Sequence, residues 1–216
     1  HYLAVISGLR TKPAVIGHSF GGLLVQKIAD EGAASASVAI DNAPIKGVLP
    51  LPISALKSGL PVLRNPANRG KAITLTFDQF TYGWANNLDD AEARTLYDTH
   101  HVPASGLPLF QAGFANFNFG RDTAVDVKNP DRGPLLIISG TKDNTAPRAF
   151  THGSYRKQLK NPEVTEYVEV ADRGHSLVID HVAERRRGTR RLPAERGART
   201  PGPSTGRERG AGLRRA

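Results

Sequence analysis

The chain has 216 residues, of which 39% are hydrophobic, and it is therefore long enough to bury one sizeable core. No window approaches the roughly 18 apolar residues of a membrane-spanning helix, and the lack of cysteine excludes disulfides and thiolate sites. The formal net charge of +9 comes mainly from residues 183–216, which hold 11 Arg, no Lys and 3 Glu, so the rest of the chain is nearly neutral.

The chain begins inside a predicted helix. Tyr2, Leu3, Ile6 and Leu9 share one helical face before Pro13 ends the pattern. Because the sequence also contains no methionine, we expect an N-terminally truncated fragment. No signal peptide is recognisable, and we expect cytoplasmic residence.

A strand–helix–strand unit is predicted next. The apolar run 14–18 indicates a buried strand, residues 20–31 a helix that ends at Gly32, and residues 36–40 a second strand that closes on Asp41. This alternation favours a parallel sheet with right-handed crossovers.

The turn between that first strand and its helix has the sequence G-H-S-F-G-G at residues 17–22. A G-x-S-x-G pattern in this context is typical of a nucleophile elbow, which would hold Ser19 in a strained backbone conformation. Gly17 and Gly21 are predicted to let strand and helix pass close together. The N–H groups at the start of the helix would then face Ser19 and stabilise an oxyanion. The alternative is a glycine-rich turn with an incidental serine.

Residues 45–130 interrupt the alternation. They are rich in proline, glycine and aromatic residues, and helical patches are predicted near 53–59, 89–99 and 106–116. An excursion of this length between two strands is usually an inserted subdomain with a functional role. We expect most of its aromatic side chains to form the core of the insert and a few to line a substrate cleft.

Alternation then resumes with a strongly apolar strand at 134–140, a helix around 147–159 and a half-buried strand at 164–170. The first of these strands leads into Asp143. The second leads into a glycine-containing loop that carries His175.

A serine hydroxyl needs a base to become nucleophilic, and the base needs a carboxylate to orient it. His175 is the best candidate base, because its loop could bring the imidazole over Ser19. His18 is expected to point away from the Ser19 side and to pack locally, and three further histidines are expected to be solvated, namely His100, His101 and His152. Asp143 is the favoured acid, because it follows the carboxyl end of a strand, where open α/β sheets place their sites. Asp41 is the rival acid, since it too follows a strand.

Beyond about residue 183 the sequence is rich in Arg, Gly and Pro and almost free of apolar residues, so we expect a disordered tail. The alternative is a nucleic-acid-binding tail. The segment has no aromatic residue to stack on bases and no recognition motif, so we expect no specific nucleic-acid partner.

Three motifs resemble those of the α/β-hydrolase superfamily, over residues 1 to about 181: G-H-S-F-G-G at 17–22, I-S-G-T-K-D at 138–143 and G-H-S at 174–176. The order Ser19, Asp143, His175 is also that of the superfamily. The resemblance implies that Ser19 is the nucleophile, His175 the base and Asp143 the acid, and that the Phe20 backbone N–H is one oxyanion-hole donor.

The resemblance also implies an α/β fold that is partial. Residues 1–182 would form the hydrolase domain, with the fifth to eighth strands of the family's sheet and a mainly helical cap at about 45–130. The first four strands, the loop with the second oxyanion donor and the terminal helix would be absent, and 183–216 would be the tail.

By the same resemblance, the expected function is hydrolysis of small ester-type substrates, including lipids and thioesters, through an acyl-enzyme on Ser19. One alternative is a catalytically inactive truncated remnant, and another is a cofactor-free haloperoxidase or perhydrolase with the same three groups. No metal-ligand spacing, phosphate loop or dinucleotide fingerprint is present, so no cofactor is expected. The sequence leaves the oligomeric state open.

Overall fold

The computed structural model describes residues 1–49, 51–116 and 122–180. The helices and strands are, in chain order, α1 (Tyr2–Ser7), β1 (Ala14–His18), α2 (Phe20–Asp30), β2 (Ala36–Ile40), α3 (Ile53–Leu63), β3 (Ala72–Ile73), α4 (Phe77–Gly83), α5 (Asp90–His100), β4 (Ala104–Ser105), α6 (Leu107–Phe114), β5 (Leu135–Gly140), α7 (Arg148–Gln158) and β6 (Thr165–Val170). Two 3₁₀ turns, Pro66–Gly70 and Pro130–Arg132, complete the described elements.

A parallel sheet forms the centre of the described residues, with the strand order β1-β2-β5-β6. β1 pairs with β2 from Ala14 opposite Ala36, and β5 pairs with β6 from Leu135 opposite Thr165. The α/β class and the parallel sheet predicted from the alternation are therefore confirmed. Each of the four predicted strands lies within one residue of its observed bounds.

The core lies where helices cover this sheet. Helix α2 packs on β1 and β2, and α7 packs on β5 and β6. One buried cluster joins Leu23 of α2 to Phe150 of α7 through the segment after β2. A second cluster is built on the sheet itself, from Ala39, Leu135 and Ile137. The apolar runs of β2 and β5 are thus covered, as parallel strands require.

A buried polar network also ties the two covering helices together. Gln158 of α7 donates through Nε2 to Oε1 of Gln26 in α2 at 3.2 Å, and Arg132 donates to Oε1 of Gln158 at 3.2 Å. The Arg132 guanidinium also donates to the carbonyl of Val164 at 2.8 Å, just before β6. Burial lowers the pKa of Arg132, and these acceptors offset the loss of water around its charge.

The described residues between β2 and β5 form a mainly helical cluster beside the sheet. The three helical patches predicted there correspond to α3, α5 and α6. Helix α4 was not predicted, although Thr76 and Gln79 form a capping box at its start. Four aromatic residues of this region, Phe77, Phe80, Trp84 and Tyr97, pack together with the buried residues Ala85, Ala93 and Leu96.

The N-terminal part leaves apolar surface uncovered. None of the residues of α1 is buried, and Ile16 on the edge strand β1 is 71% exposed. No helix of the described residues is long and apolar enough to cross a bilayer. The predicted tail at 183–216 lies outside the described residues, and the division into domain, cap and tail stays a prediction.

Two isoleucines of the same sheet provide a matched test of this core. Ile137 of β5 is 0% exposed, whereas Ile16 of β1 is 71% exposed. We expect Ile137→Ala to lower the free energy of unfolding by about 2–5 kcal/mol, because it removes buried methyl groups and leaves a cavity. Ile16→Ala should change it by less than about 0.5 kcal/mol. Urea unfolding of both variants measures the difference, and equal losses would contradict the assigned core.

Candidate active site

The candidate site lies at the carboxyl edge of the parallel sheet. Ser19 follows β1, Asp41 follows β2, Asp143 follows β5, and His175 follows β6. Parallel strands end at the same edge of a sheet, so side chains that are far apart in sequence become neighbours there. The structure brings three of these four side chains into one chain of hydrogen bonds.

The backbone at Ser19 makes a sharp reversal between β1 and α2. Ser19 has φ of 57° and ψ of −121°, a left-handed region that L-residues seldom adopt. Its N–H donates to the carbonyl of Ile40 in β2 at 2.9 Å, which fixes the turn to the neighbouring strand. The strained turn expected at the serine is therefore present.

Of the two glycines expected to allow the close approach of strand and helix, only Gly17 must lack a side chain. A Cβ on Gly17 would lie 2.2 Å from the Gly21 carbonyl oxygen, so only glycine fits there. A Cβ on Gly22 would lie 2.8 Å from Cβ of Asn42. A Cβ on Gly21 would meet nothing within 4 Å, so the expectation that the Gly21 side chain must be small is wrong. It is the Gly21 backbone that Gly17 approaches.

The N-terminus of α2 adjoins the Ser19 hydroxyl. Phe20 is the first residue of the helix, so its N–H is one of those that have no acceptor within the helix. The positive end of the helix dipole reinforces such donors. An anion formed next to Ser19 Oγ would therefore meet a favourable potential.

The His175 imidazole links Ser19 to Asp143. Its Nε2 lies 3.0 Å from Ser19 Oγ, and its Nδ1 lies 2.6 Å from Asp143 Oδ2. Because an ionised carboxylate only accepts hydrogen bonds, Nδ1 donates to Asp143, and Nε2 is left to accept from the serine hydroxyl. The side chains of His175 and Asp143 are both fully buried, which shields this arrangement from water.

Asp143 is held by its own loop as well. Its Oδ1 accepts from the backbone N–H groups of Thr145 at 2.7 Å and Ala146 at 2.8 Å. The carboxylate thus closes the turn before α7 and still points Oδ2 at the imidazole. Asp143 is therefore a turn residue as well as the hydrogen-bond partner of His175.

Asp41, the rival acid, makes no hydrogen bond to His175. Its Oδ1 accepts from the N–H of Gly140 at 2.7 Å, which joins the ends of β2 and β5. Its other oxygen, Oδ2, is buried, and the Asp41 carboxyl group interacts with that of Asp143. Burial, and then the nearby charge of Asp143, raise the pKa of Asp41 to about 9, so this carboxyl group is protonated at neutral pH.

His18 lies against the site instead of pointing away from it, so that expectation is wrong. Its ring centroid is 4.5 Å from that of His175. Side chains alternate along a regular strand, but the positive φ of Ser19 breaks the alternation directly after His18. Burial, and then the neighbouring His175, lower the pKa of His18 to about 4, so this ring is neutral at neutral pH.

Two of the three histidines expected to be solvated pack against aromatic rings. His101 accepts a hydrogen bond from the N–H of Leu75 at 3.2 Å and stacks on Tyr97. His152 packs against the rings of Tyr155 and Tyr167. Their polar sequence surroundings gave no indication of these contacts.

The loop that carries His175 is fixed by a buried ion pair. Arg173 pairs with Asp180 and also donates to the carbonyl of Leu177 at 3.0 Å. Ser176 Oγ donates to Asp180 Oδ2 at 3.1 Å. The Lys142 N–H donates to the Arg173 carbonyl at 2.8 Å, which joins this loop to the one that carries Asp143.

His18, Asp41 and His175 offer three ligand atoms within 4.8 Å of one another, a spacing that could hold a metal ion. Both ring nitrogens of His175 are already engaged, one by Asp143 and one by Ser19. A cation could bind only if His175 gave up one of these bonds. The donor set therefore fits proton transfer better than metal binding.

Comparisons with known proteins agree with this architecture. The model of the alpha/beta hydrolase family matches residues 1–186. No curated protein matches the chain. Among solved structures, the chain is similar to a monoacylglycerol lipase of Paleococcus ferrophilus, with 21% identity, a TM-score of 0.51, and coverage of 86% of this chain and 69% of that one.

Two further structures are similar in fold. A meta-cleavage product hydrolase of Pseudomonas fluorescens has 16% identity and a TM-score of 0.57, over 87% of this chain and 66% of that one. A bromoperoxidase of Bacillus anthracis has 18% identity and a TM-score of 0.53, over 82% of this chain and 66% of that one. The chain thus spans about two thirds of the length of these structures, and the similarity is one of fold.

The elbow provides a test in two neighbouring glycines. We expect Gly17→Ala to lower the free energy of unfolding by about 1–3 kcal/mol, because the added methyl group would overlap the Gly21 carbonyl and the backbone must shift. Gly21→Ala should be neutral or stabilise by up to ~1 kcal/mol, because its methyl group meets open space in a helix. Urea unfolding followed by circular dichroism compares the two, and similar effects would contradict the close approach.

Asp41 provides a test in the pH dependence of stability. Its folded pKa, about 9, lies above the ordinary value of 3.8, so folding favours the protonated form. The stability it contributes is complete below about pH 4 and is lost as the pH rises through about 9. Asp41→Asn keeps the acceptor for Gly140 and cannot ionise. Its free energy of unfolding should fall less between pH 5 and 8 than that of the wild type, by up to ~1.4 kcal/mol per pH unit. If the free energies of unfolding of the two proteins changed equally with pH, Asp41 would not be protonated in the folded state as assigned.

Proposed function

The chain belongs to the alpha/beta hydrolase family, and from this premise we propose that it is a serine hydrolase of small ester-type substrates, with an acyl-enzyme on Ser19. The observation that carries the proposal is the continuous hydrogen-bond chain from Ser19 Oγ through His175 to Asp143. Nucleophile, base and orienting acid are the three groups that acyl transfer requires.

In the first step Ser19 Oγ attacks the carbonyl carbon of the ester, and its proton passes to Nε2 of His175. The imidazolium that forms is stabilised by the Asp143 carboxylate at Nδ1, 2.6 Å away. Asp143 stays ionised and does not take the proton. Its two backbone hydrogen bonds from Thr145 and Ala146 hold the carboxylate in place.

The tetrahedral intermediate places a negative charge on the former carbonyl oxygen. The N–H of Phe20, at the start of α2, is the proposed donor to this oxygen, and the helix dipole adds to its effect. The intermediate then collapses: the bond to the alkoxy group breaks, and His175 returns its proton to the departing oxygen. Water, deprotonated by His175, releases the acid from Ser19 by the same two steps.

The insert between β2 and β5 is the proposed cap, at about residues 45–130. Its aromatic cluster reaches the site through Trp84, whose ring centroid lies 4.6 Å from that of His175. Such a wall supports substrates with an apolar part, and the lipase that the chain resembles in fold acts, by its name, on monoacylglycerol. Cytoplasmic residence, and a tail at 183–216 that takes no part in the chemistry, stay predictions.

A fluorophosphonate probe followed by peptide mapping tests the proposal on the full chain. We expect phosphonylation on the peptide that holds Ser19 and none in Ser19→Ala. Asp143→Asn should slow labelling by about 10³–10⁴-fold, because an asparagine no longer selects the tautomer with Nδ1 protonated. Asp41→Asn should be labelled much faster than Asp143→Asn, because the acid that bonds to His175 is Asp143 and not Asp41.

Two results would overturn the proposal. One is labelling of Ser176, whose buried hydroxyl donates to Asp180. The other is no labelling of a chain that circular dichroism shows to be folded, which would favour the inactive remnant. Turnover of p-nitrophenyl acetate with and without hydrogen peroxide and bromide separates an esterase from the haloperoxidase-like alternative.

A further inference from the structure

One short segment of the insert contacts both loops of the candidate site. We name residues 82–87 the clamp segment. Their sequence is Y-G-W-A-N-N, and the first two of them are the last two residues of α4. It has three hydrogen bonds to the loop of Asp143: Asn144 Nδ2 to the Tyr82 carbonyl at 3.0 Å, Thr145 Oγ1 to the Gly83 carbonyl at 2.7 Å, and Asn86 Nδ2 to the Lys142 carbonyl at 2.8 Å. The residues on both sides of Asp143 are therefore fixed by this segment.

The same segment holds the loop of His175. The Trp84 carbonyl accepts from the N–H of Ser176 at 3.1 Å, and Asn87 Nδ2 donates to the Asp172 carbonyl at 3.0 Å. Between these two bonds, a Cβ on Gly174 would lie 2.3 Å from the side-chain oxygen of Asn87. The amide thus rests directly on the backbone of the residue before His175.

The clamp segment also touches the imidazole itself. The Trp84 ring meets the His175 ring edge to face, with 4.6 Å between centroids and 81° between planes. The His18 ring lies 4.5 Å from the same imidazole. With Trp84 and His18 both against it, the imidazole cannot swing freely away from Asp143 and Ser19.

We infer that the clamp segment sets the distance between Asp143 and His175, and that Trp84, Asn86 and Asn87 are positioning residues for the base. The inference rests on the proposed function, and it assigns to the insert a part in the chemistry beyond covering the substrate. The two loops follow different strands, β5 and β6, and a reacting group misplaced by about 1 Å can cost on the order of 10²-fold in rate. A bridge that bonds to both loops restricts that displacement.

The test compares asparagines that make equivalent bonds. Asn86→Ala and Asn87→Ala each remove one side-chain bond to a site loop. Asn68→Ala removes a similar 3.0 Å bond to the Val62 carbonyl within the insert, and it is the matched control. We expect the maximal rate of fluorophosphonate labelling to fall at least about tenfold in the first two variants, with the half-saturating probe concentration unchanged. The control should label at the wild-type rate.

A second readout does not depend on activity. Trp84 is the only tryptophan of the chain and its ring contacts that of His175, so we expect its fluorescence to report on this contact. Asn86→Ala/Asn87→Ala should shift the emission maximum and increase quenching by acrylamide, whereas Asn68→Ala should leave both unchanged. If the folded wild type is not labelled, the proposed function fails, and the emission still decides whether the clamp holds the loop.

The conservative variant distinguishes positioning from bulk stability. Trp84→Phe keeps a ring against His175 and should retain most of the maximal labelling rate, whereas Trp84→Ala should lose it. If the double asparagine variant does not fold, the two Trp84 variants still test whether the clamp segment positions His175. Labelling of Asn87→Ala at the rate of Asn68→Ala, or unaltered emission in the double variant, would overturn the inference.

Discussion

The approach of Gly17 to the carbonyl of Gly21 determines how Ser19 is placed at the edge of the sheet. A methyl group at Gly17 would lie 2.2 Å from that oxygen, so strand β1 and helix α2 meet backbone to backbone. Because the two backbones come so close, the chain can reverse its direction at Ser19, between the strand and the helix. The N–H of Ser19 then bonds to β2, whose next residue, Asp41, bonds to the end of β5. Hydrogen bonds thus link the turn at Ser19 to the ends of β2 and β5, at the edge of the sheet that carries the candidate site.

The local patterns of the sequence were sufficient for the sheet and for the residues that follow its strands. β1, β2 and β5 are short apolar runs bounded by glycine, proline or aspartate, and a period of two identified β6. Asp143 and His175 were found because they come directly after strands, where the edge of a parallel sheet gathers side chains. The start of α4 was available too, since Thr76 and Gln79 carry the capping-box pattern, but the aromatic and glycine-rich context concealed it.

The contacts that the sequence did not predict join residues far apart in the chain. The side chains of Gln26, Gln158 and Arg132 are polar and would be expected at the surface, yet they bond to one another inside the fold. Asn86 and Asn87 belong to a polar turn with no recognisable motif, and their partners lie beyond β5. His18 was misjudged because the alternation of a strand stops at Ser19. In each case the partner is chosen by the tertiary fold, which a local pattern does not contain.

The order of the strands in the sheet has a consequence for the kinetics of folding. The unit β1-α2-β2 and the unit β5-α7-β6 are each local in sequence, whereas β2 and β5 pair only across residues 41–134. Closing so long a loop costs entropy before the pairing returns any stability, so the two halves dock late. Ser19 belongs to the first half, and Asp143 and His175 to the second. During refolding, the reactivity of Ser19 would therefore recover later than the helical circular dichroism signal. The time of its recovery would measure when the two halves dock.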